Sequence, residues 1–437
     1  MSFNWRSENV ANQVSGVGGY ATTIAVDASG NIHVAYWDYI AGKLNYTVKS
    51  GGVWSNPITI DTINPAGTTR GYFYVSMALD SVGNPHISYF NWLNGDLKHA
   101  WKTGNNWTTE IVEAGVGKAY AYTAIVVDPS GNTHILYTDG APPTLKYVVK
   151  SGNSWSTPEN ADPNLNTGYF LSLAIDNNGN LHASYQHYVS PSSKELNYVL
   201  KPQNGAWQAP QIVDSGSDLG EWTSITSDST GNIHISYRDL ANQCLKYAMK
   251  PYGAAWQTPV ALLSGGNFEM TSITADAAGN IDVSFYNDMN GTLEFIGKSG
   301  GTWGTPQIVD STFDSGAYCH LALDSKGNRH ISYFRTVGAT SMSNGITYLM
   351  HAFAIPQFIF RPLCTVMGPN NKKFLCLKGG PNDRIGLYGC QKGPTFELQF
   401  KEQTVDPKKI LILNMDEIPK NMRASLENML KKMAKEK

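Results

Sequence analysis

Charge is the first thing this sequence is short of. Only 16% of its 437 residues are Asp, Glu, Lys or Arg, while Gly (42), Tyr (23) and Trp (11) are plentiful. That balance suits short strands and tight turns rather than helices. Cysteine is scarce too. There are five, Cys244, Cys319, Cys364, Cys376 and Cys390, and only two precede residue 354, so disulfides do not hold the main body together. No run approaches 18 apolar residues, which excludes a helical membrane span. The opening MSFNWRSENV has no apolar signal core. An extracellular or cell-surface protein, the location expected here, therefore needs a leader outside this sequence; a cytoplasmic one needs none. Arginine is confined to Arg6, Arg70, Arg238, Arg329 and Arg335 in the first 353 residues. The net charge of −2 conceals −9 over residues 1–353 and +7 over 354–437. With no basic stripe in the larger part, nucleic acid is not an expected partner.

What is there is a phrase said seven times. It reads DASGNIHVAY at 27–36, DSVGNPHISY at 80–89, DPSGNTHILY at 128–137 and DNNGNLHASY at 176–185. It continues as DSTGNIHISY at 228–237, DAAGNIDVSF at 276–285 and DSKGNRHISY at 324–333. The leading aspartates are 53, 48, 48, 52, 48 and 48 residues apart, a period that marks a repeat architecture. An apolar segment such as Ile125-Val126-Val127 runs into each Asp, x-x-Gly-Asn turns the chain, and a β-branched and aromatic strand returns. Each phrase is thus a β-hairpin. A third strand follows (LNYTVK at 44–49, LKYVVK at 145–150, ITYLMH at 346–351), then a short turn and a fourth strand opened by Trp54, Trp107, Trp155, Trp207, Trp256 or Trp303. Four antiparallel strands repeated seven times predict an all-β, seven-bladed β-propeller. The seventh unit lacks its Trp strand, and NWRSENV at 4–10 matches NWTTEIV at 106–112. The N-terminal strand, carrying Trp5, is therefore expected to complete the last blade and close the ring.

The hairpin Asp, Gly-Asn, His and Tyr, with the third-strand aromatic and fourth-strand Trp, resemble the sialidase-like or BNR-repeat propellers. That family carries Ser-x-Asp-x-Gly-x-x-Trp between its third and fourth strands; here KSGGVW, KTGNNW, KSGNSW and KSGGTW keep the Gly and Trp but not the Asp. The resemblance implies the fold over residues 1–353. A sialidase would also need three convergent arginines and a Tyr-Glu nucleophile pair, which the five scattered arginines do not supply. Some propellers of this repeat style are polysaccharide lyases. That chemistry needs a base, a proton donor and a cation for the uronic carboxylate, and the candidates are His187, Tyr188, Arg238 and Arg335.

Six phrases place a His at one position (His33, His86, His134, His182, His234, His330) and the sixth phrase places Asp282 there. Equivalent positions on different blades share a radius, so these cannot converge on one ion at about 2 Å. Each is expected to be a polar peg bonded inside its own blade. Neither a calcium loop nor a phosphate-binding loop is present, so no metal or cofactor is expected. Function belongs where the units differ, on the face of the blade-to-blade and second-to-third connections. Two sets of residues stand there. One ends the second strands: Asp38, Asn91, Asp139, His187, Asp239, Asn287 and Arg335. The other opens the units: Tyr20, Tyr74, Tyr122, Tyr169, Trp222, Phe268 and Tyr318. Aromatic faces beside polar groups suit a sugar, whose C–H face stacks while its hydroxyls pair. The reading is a non-enzymatic, lectin-like propeller for a glycan or other extracellular ligand. The alternatives are a lyase acting on uronic polymers and a protein-interaction scaffold.

After Phe353 the repeat grammar stops, and 354–437 reads as an accessory segment or a fusion. Its CLKGG, IGLYGCQ and LQF runs, within 372–400, resemble one lobe of a ricin-type β-trefoil. The resemblance implies a Cys376–Cys390 pair, with Gln399-Phe400 adjacent where the family spaces the two residues, and Cys364 left over. Residues from about 417 to 436 read as an amphipathic helix with Ile418, Met422, Leu426, Met429, Leu430 and Met433 on one stripe. That stripe could serve docking or self-association.

Overall fold

The computed structural model describes residues 3–14, 21–38, 41–62, 74–91, 93–116, 121–338, 346–356, 361–367, 373–378 and 385–389. Tyr20, Cys390, Gln399-Phe400 and the helix expected from about 417 to 436 lie outside the described residues, among which there is no helix. The chain divides into two compact units, one of Met1 and Trp5–Ile355, the other of Ser2–Asn4 and Pro356–Lys437.

The first unit is a seven-bladed propeller of antiparallel sheets. In blade 3, Thr123–Val127 pairs with Thr133–Asp139, and that strand pairs with Thr144–Ser151. The hairpin turn is the Asp phrase at work. Asp128 Oδ1 accepts the Asn132 backbone N–H at 2.8 Å and Oδ2 accepts the Asn132 amide at 2.7 Å. Gly131 takes φ of 83°, which an L side chain resists.

The fourth strand departs from its sequence description. In blades 1, 3 and 6 it breaks after the Trp and resumes beyond Pro57, Pro158 and Pro306. In blades 4 and 5, Trp207 and Trp256 precede the strand, which starts after Pro210 and Pro259. Proline has no N–H for the ladder. Asn106–Glu113 of blade 2 and Phe3–Val14 have no proline and run unbroken. Phe3–Val14 lies at the outer edge of the seventh sheet, hydrogen-bonded to Ile346–Pro356.

The inner strands pack in chain order around the axis, and Asp314–Leu323 of blade 7 packs on Thr22–Val26 of blade 1. A side-chain ladder joins them. The Oγ atoms of Ser76, Ser172, Ser224 and Ser272 accept the backbone N–H of Ile125, Ile225, Ile273 and Leu321 on the next blade, at 3.0–3.2 Å.

Within blades 1, 3, 4 and 5 the phrase histidines are structural pegs. Tyr46, Tyr147, Tyr198 and Tyr247 donate to Nδ1 of His33, His134, His182 and His234 at 2.6–2.7 Å. The opposite nitrogen faces the phrase Asp at 3.2–3.5 Å. Each of those tyrosines then meets the next blade's Trp edge-on, as Tyr46 meets Trp107 at 4.9 Å. On the other side of the seams, Tyr89, Tyr185, Tyr237 and Tyr333 donate to Asp61, Asp162, Asp214 and Asp310 of the preceding blade at 2.5–2.8 Å.

The second unit contains a three-stranded sheet of Arg361–Met367, Lys373–Lys378 and Ile385–Gly389, in which Cys364 and Cys376 are backbone register partners. No helix among the described residues is long and apolar enough to cross a membrane.

Candidate functional site at the mouth of the central channel

Each blade sends two consecutive residues to one cavity of about 130 Å³ on the propeller axis. The first lies six positions before the phrase Asp: Ala21, Tyr74, Tyr122, Phe170, Trp222, Met270 and Tyr318. The second, one step along, gives Thr22, Val75, Thr123, Leu171, Thr223, Thr271 and Cys319, and blade 7 adds His320. These positions lie at the start or in the first half of the inner strands, so the cavity belongs to the face opposite the Asp-x-x-Gly-Asn turns.

The rings touch around the mouth. Centroids are 4.3 Å apart for Tyr74–Tyr122, 5.1 Å for Tyr122–Phe170 and 4.8 Å for Phe170–Trp222, while Tyr74 also reaches Trp222 at 6.2 Å. In blades 4 to 7 a bulge aims them inward. Phe170, Trp222, Met270 and Tyr318 all have φ between 51° and 54°, where non-glycine residues are rare. The register with the second strand shifts at the same place in each of these blades. Four repeats of a conformation costing about 1–3 kcal/mol each mark a place where side-chain aim outweighs backbone comfort.

The hydroxyls below the rings are mostly committed. Thr123, Thr223 and Thr271 bond Ser88, Ser184 and Ser236 of the preceding blade at 2.7–2.9 Å. Thr22 Oγ1 is buried and has no partner among the described residues. His320 stands in for the serine of the ladder, its Nδ1 accepting the Ile24 N–H at 3.5 Å. Burial lowers its pKa to about 4, so the imidazole is neutral. Among the described residues no Asp, Glu, Lys or Arg lines the cavity.

Of the aromatic residues expected from the sequence, Tyr74, Tyr122, Trp222 and Tyr318 line this cavity. Tyr169 instead meets Tyr188 in a tilted contact at 6.1 Å, and Phe268 is buried against Phe285 at 5.6 Å. The bulge advances the inward position by one residue in blade 4, to Phe170, and places Met270 inward in blade 6.

The second-strand polar set closes its own loops. Asp38 accepts the Ala41 N–H at 3.0 Å, Asn91 the Leu93 N–H at 3.0 Å, and Asp239, only 2% exposed, the Asn242 N–H at 3.1 Å. Asp139 pairs with Lys146 at 2.7 Å and Asn287 donates to Glu294 at 2.9 Å. The lyase candidates are all engaged with charged neighbours, and Lys194 links two of them, lying over Tyr188 and approaching Glu221, the partner of Arg238, at 3.8 Å. His187 contacts Glu195 at 3.2 Å, and Tyr188 lies under Lys194 at 5.0 Å. Arg238 bridges Glu221 and Glu269 at 3.1 and 2.9 Å, and Arg335 of blade 7 binds Asp310 of blade 6. Burial raises the pKa of both Glu221 and Glu269 despite Arg238. Among the described residues, no group of three or more His, Cys, Asp or Glu is arranged to hold a metal.

No family model matches the sequence, and no curated protein matches it. Solved structures do resemble it. A polysaccharide lyase, an ulvan lyase bound to -[GlcA(1-4)Rha3S]-, is 13% identical, with 79% of this chain and 96% of that chain covered and a TM-score of 0.56. A lectin of Aleuria aurantia in complex with alpha-methyl-L-fucoside is 18% identical over 67% and 95%, TM-score 0.45. A Hadza microbial sialidase is 15% identical over 74% of each chain, TM-score 0.46. At these identities the likeness is one of fold.

Proposed function

We propose that the protein is a non-enzymatic, extracellular or cell-surface propeller that binds carbohydrate at the mouth of its channel. The observation that carries this is the ring of large side chains, four of them aimed inward by strained bulges, around a cavity the size of one small ring. Aromatic rings offer π faces on which the C–H face of a pyranose can pack, and a preformed wall spares the ordering cost that weakens binding. The lyase alternative needs a base, an acid and a cation at one substrate. Its candidates His187, Tyr188, Arg238 and Arg335 are each already engaged with a charged neighbour.

A glycan array followed by calorimetry on the strongest hit tests the proposal. Trp222→Ala and Tyr122→Ala should each weaken binding about tenfold or more, the worth of about 1.4 kcal/mol. A silent array, or a hit whose affinity neither variant changes, overturns it. Growth of ultraviolet absorbance from unsaturated product on a uronic polysaccharide would favour the lyase instead.

A further inference from the structure

The aromatic ring has one gap, and the cavity's available polar atoms stand beside it. Ala21 is the small member of the ring, on blade 1. Next to it in sequence is Thr22, whose buried Oγ1 has no partner among the described residues. Across the seam on blade 7 is His320. At the positions equivalent to His320, the other blades carry Thr23, Ser76, Ala124, Ser172, Ser224 and Ser272. Four of those serines do nothing more than accept the next blade's N–H, at 3.0–3.2 Å.

A serine at 320 would suffice for that ladder. Histidine does the same job with Nδ1, which accepts from Ile24 N. A neutral imidazole whose Nδ1 accepts must carry its proton on Nε2. The substitution therefore adds one N–H donor to a wall that is otherwise aromatic, aliphatic or hydroxylated.

We propose that His320 and Thr22 form the polar end of the channel-mouth site, and that its ligand is a neutral sugar ring rather than an acidic one. This rests on the carbohydrate reading of the same cavity. His320 Nε2–H donates to a ligand oxygen, and the Thr22 hydroxyl takes a partner that it lacks among the described residues. The rest of the ring packs on Tyr74, Tyr122 and Trp222. An acidic sugar is disfavoured because its carboxylate would be desolvated in a wall with no cation to meet it.

The test uses the full chain and a panel of methyl pyranosides, a 6-deoxyhexose included, against the corresponding uronic acids and sialic acid, by calorimetry with thermal melts alongside. Wild type should bind a neutral member at least tenfold more tightly than any acidic one. His320→Ser restores the repeat's own residue, so the melting temperature should hold while affinity falls about tenfold. His320→Gln, which keeps a donor, should recover most of that affinity. Thr22→Val removes an unpartnered buried hydroxyl, so it should melt no lower than wild type yet bind several-fold more weakly. Preference for an acidic sugar overturns the ligand class. Wild-type affinity in both His320→Ser and Thr22→Val overturns the polar end alone and leaves the carbohydrate reading standing. Wild type that binds no member of the panel overturns both.

Discussion

Glu8 Oε1 accepts a hydrogen bond from His351 Nδ1 at 2.9 Å across 343 positions of sequence. The same oxygen takes the Trp54 indole N–H at 2.9 Å and Lys49 Nζ at 2.5 Å, so one carboxylate on the N-terminal strand joins blade 7 to blade 1. Glu110 repeats the pattern between blades 2 and 3 with His99, Trp155 and Lys150. Burial pushes the Glu8 carboxyl up, but the bonds from His351, Lys49 and Trp54 outweigh it and hold the pKa at about 2. A depressed carboxylate stabilises fully above its unfolded value of about 4.3 and loses that contribution as pH falls toward 2. Glu8→Gln should therefore cost about 1–2 kcal/mol at pH 7, since the site is partly exposed. In urea titrations the gap to wild type should be several-fold smaller at pH 2.5 than at pH 7; an equal gap at both pH values would show that Glu8 acts by packing alone.

Those two seams also differ from the rest in proton count. Where a tyrosine meets the phrase His, the opposite His nitrogen faces the Asp at 3.2–3.5 Å. In blades 2 and 7 the partner is a second imidazole: His86 meets His99, and His330 meets His351, both at 3.1 Å. Two neutral imidazoles hold two protons for three contacts, and the unmade contact is the Asp end, at 3.8 and 3.9 Å. Burial first, then the neighbouring imidazole, lowers His86 and His330 to about 4. The unfolded chain takes up these protons near pH 6.5, before the folded one. Stability is thus full above 6.5 and declines as pH falls toward 4. His99→Tyr, which gives blade 2 the majority partner, should flatten the fall in melting temperature over that window. A profile as steep as wild type's would remove His86–His99 as its source.

Asp282 replaces the histidine in blade 6, and Arg329 of blade 7 reaches it at 2.8 Å with both groups buried. Arg329 stands where other phrases carry Ile, Pro, Thr or Leu. The two departures from the phrase are therefore one compensated change. Burial raises the pKa of Asp282 even against the arginine, which shows how dry the seam is. Asp282→Asn should cost about 3–5 kcal/mol by taking the opposing charge away from a buried guanidinium, whereas Asp282→Val with Arg329→Ile should be close to neutral. Chemical denaturation of the two variants checks this; a double variant as unstable as the single one would mean that the pair is not coupled.

Arg238 sits 8% exposed between Glu221 and Glu269, which lie within about 6 Å of each other through their shared guanidinium nitrogen. Burial raises both carboxyl groups, with Arg238 opposing. Arg238→Gln removes that opposition and raises them further. A raised carboxyl stabilises below its unfolded pKa and loses that as pH rises through the folded value. The variant's deficit should accordingly be large at pH 8 and smaller at pH 5. A deficit independent of pH would assign Arg238 a packing role.

The architecture was legible because it is periodic. The spacing of Asp27, Asp80 and their successors, together with the Trp5 strand, defines blades that need no side-chain detail. The site was only half legible. Tyr169 and Phe170 are adjacent aromatics, and nothing in their identity says which one a bulge will aim at the axis. Met270 is not aromatic and sits beside Phe268, which looks the better candidate on chemistry alone. The polar set is engaged in contacts that its residue types alone do not announce. Asp38, Asn91 and Asp239 stand two or three residues before a backbone N–H they accept, the spacing of an Asx turn, so their polarity closes loops rather than facing ligand. His320 was detectable in principle, as the one large residue in a column of Ser, Thr and Ala.

The bulge itself makes a prediction whose sign is unusual. Trp222 holds φ at 51° in the left-handed region, where any Cβ is strained and only glycine is at ease. In an ordinary strand Gly is less stable than Ala because it has more freedom to lose. At 222 that order should invert. Trp222→Ala and Trp222→Gly lose the same indole contacts with Phe170 and Tyr318, so their difference isolates the backbone. Trp222→Gly should be the more stable of the two by about 1 kcal/mol, and the same inversion should appear at Phe170. Both variants should lose ligand affinity alike, since neither restores the ring. Urea melts of the pair decide the matter: Ala more stable than Gly would mean that position 222 carries no strain, and the bulge would lose its standing as a device that trades stability for side-chain aim.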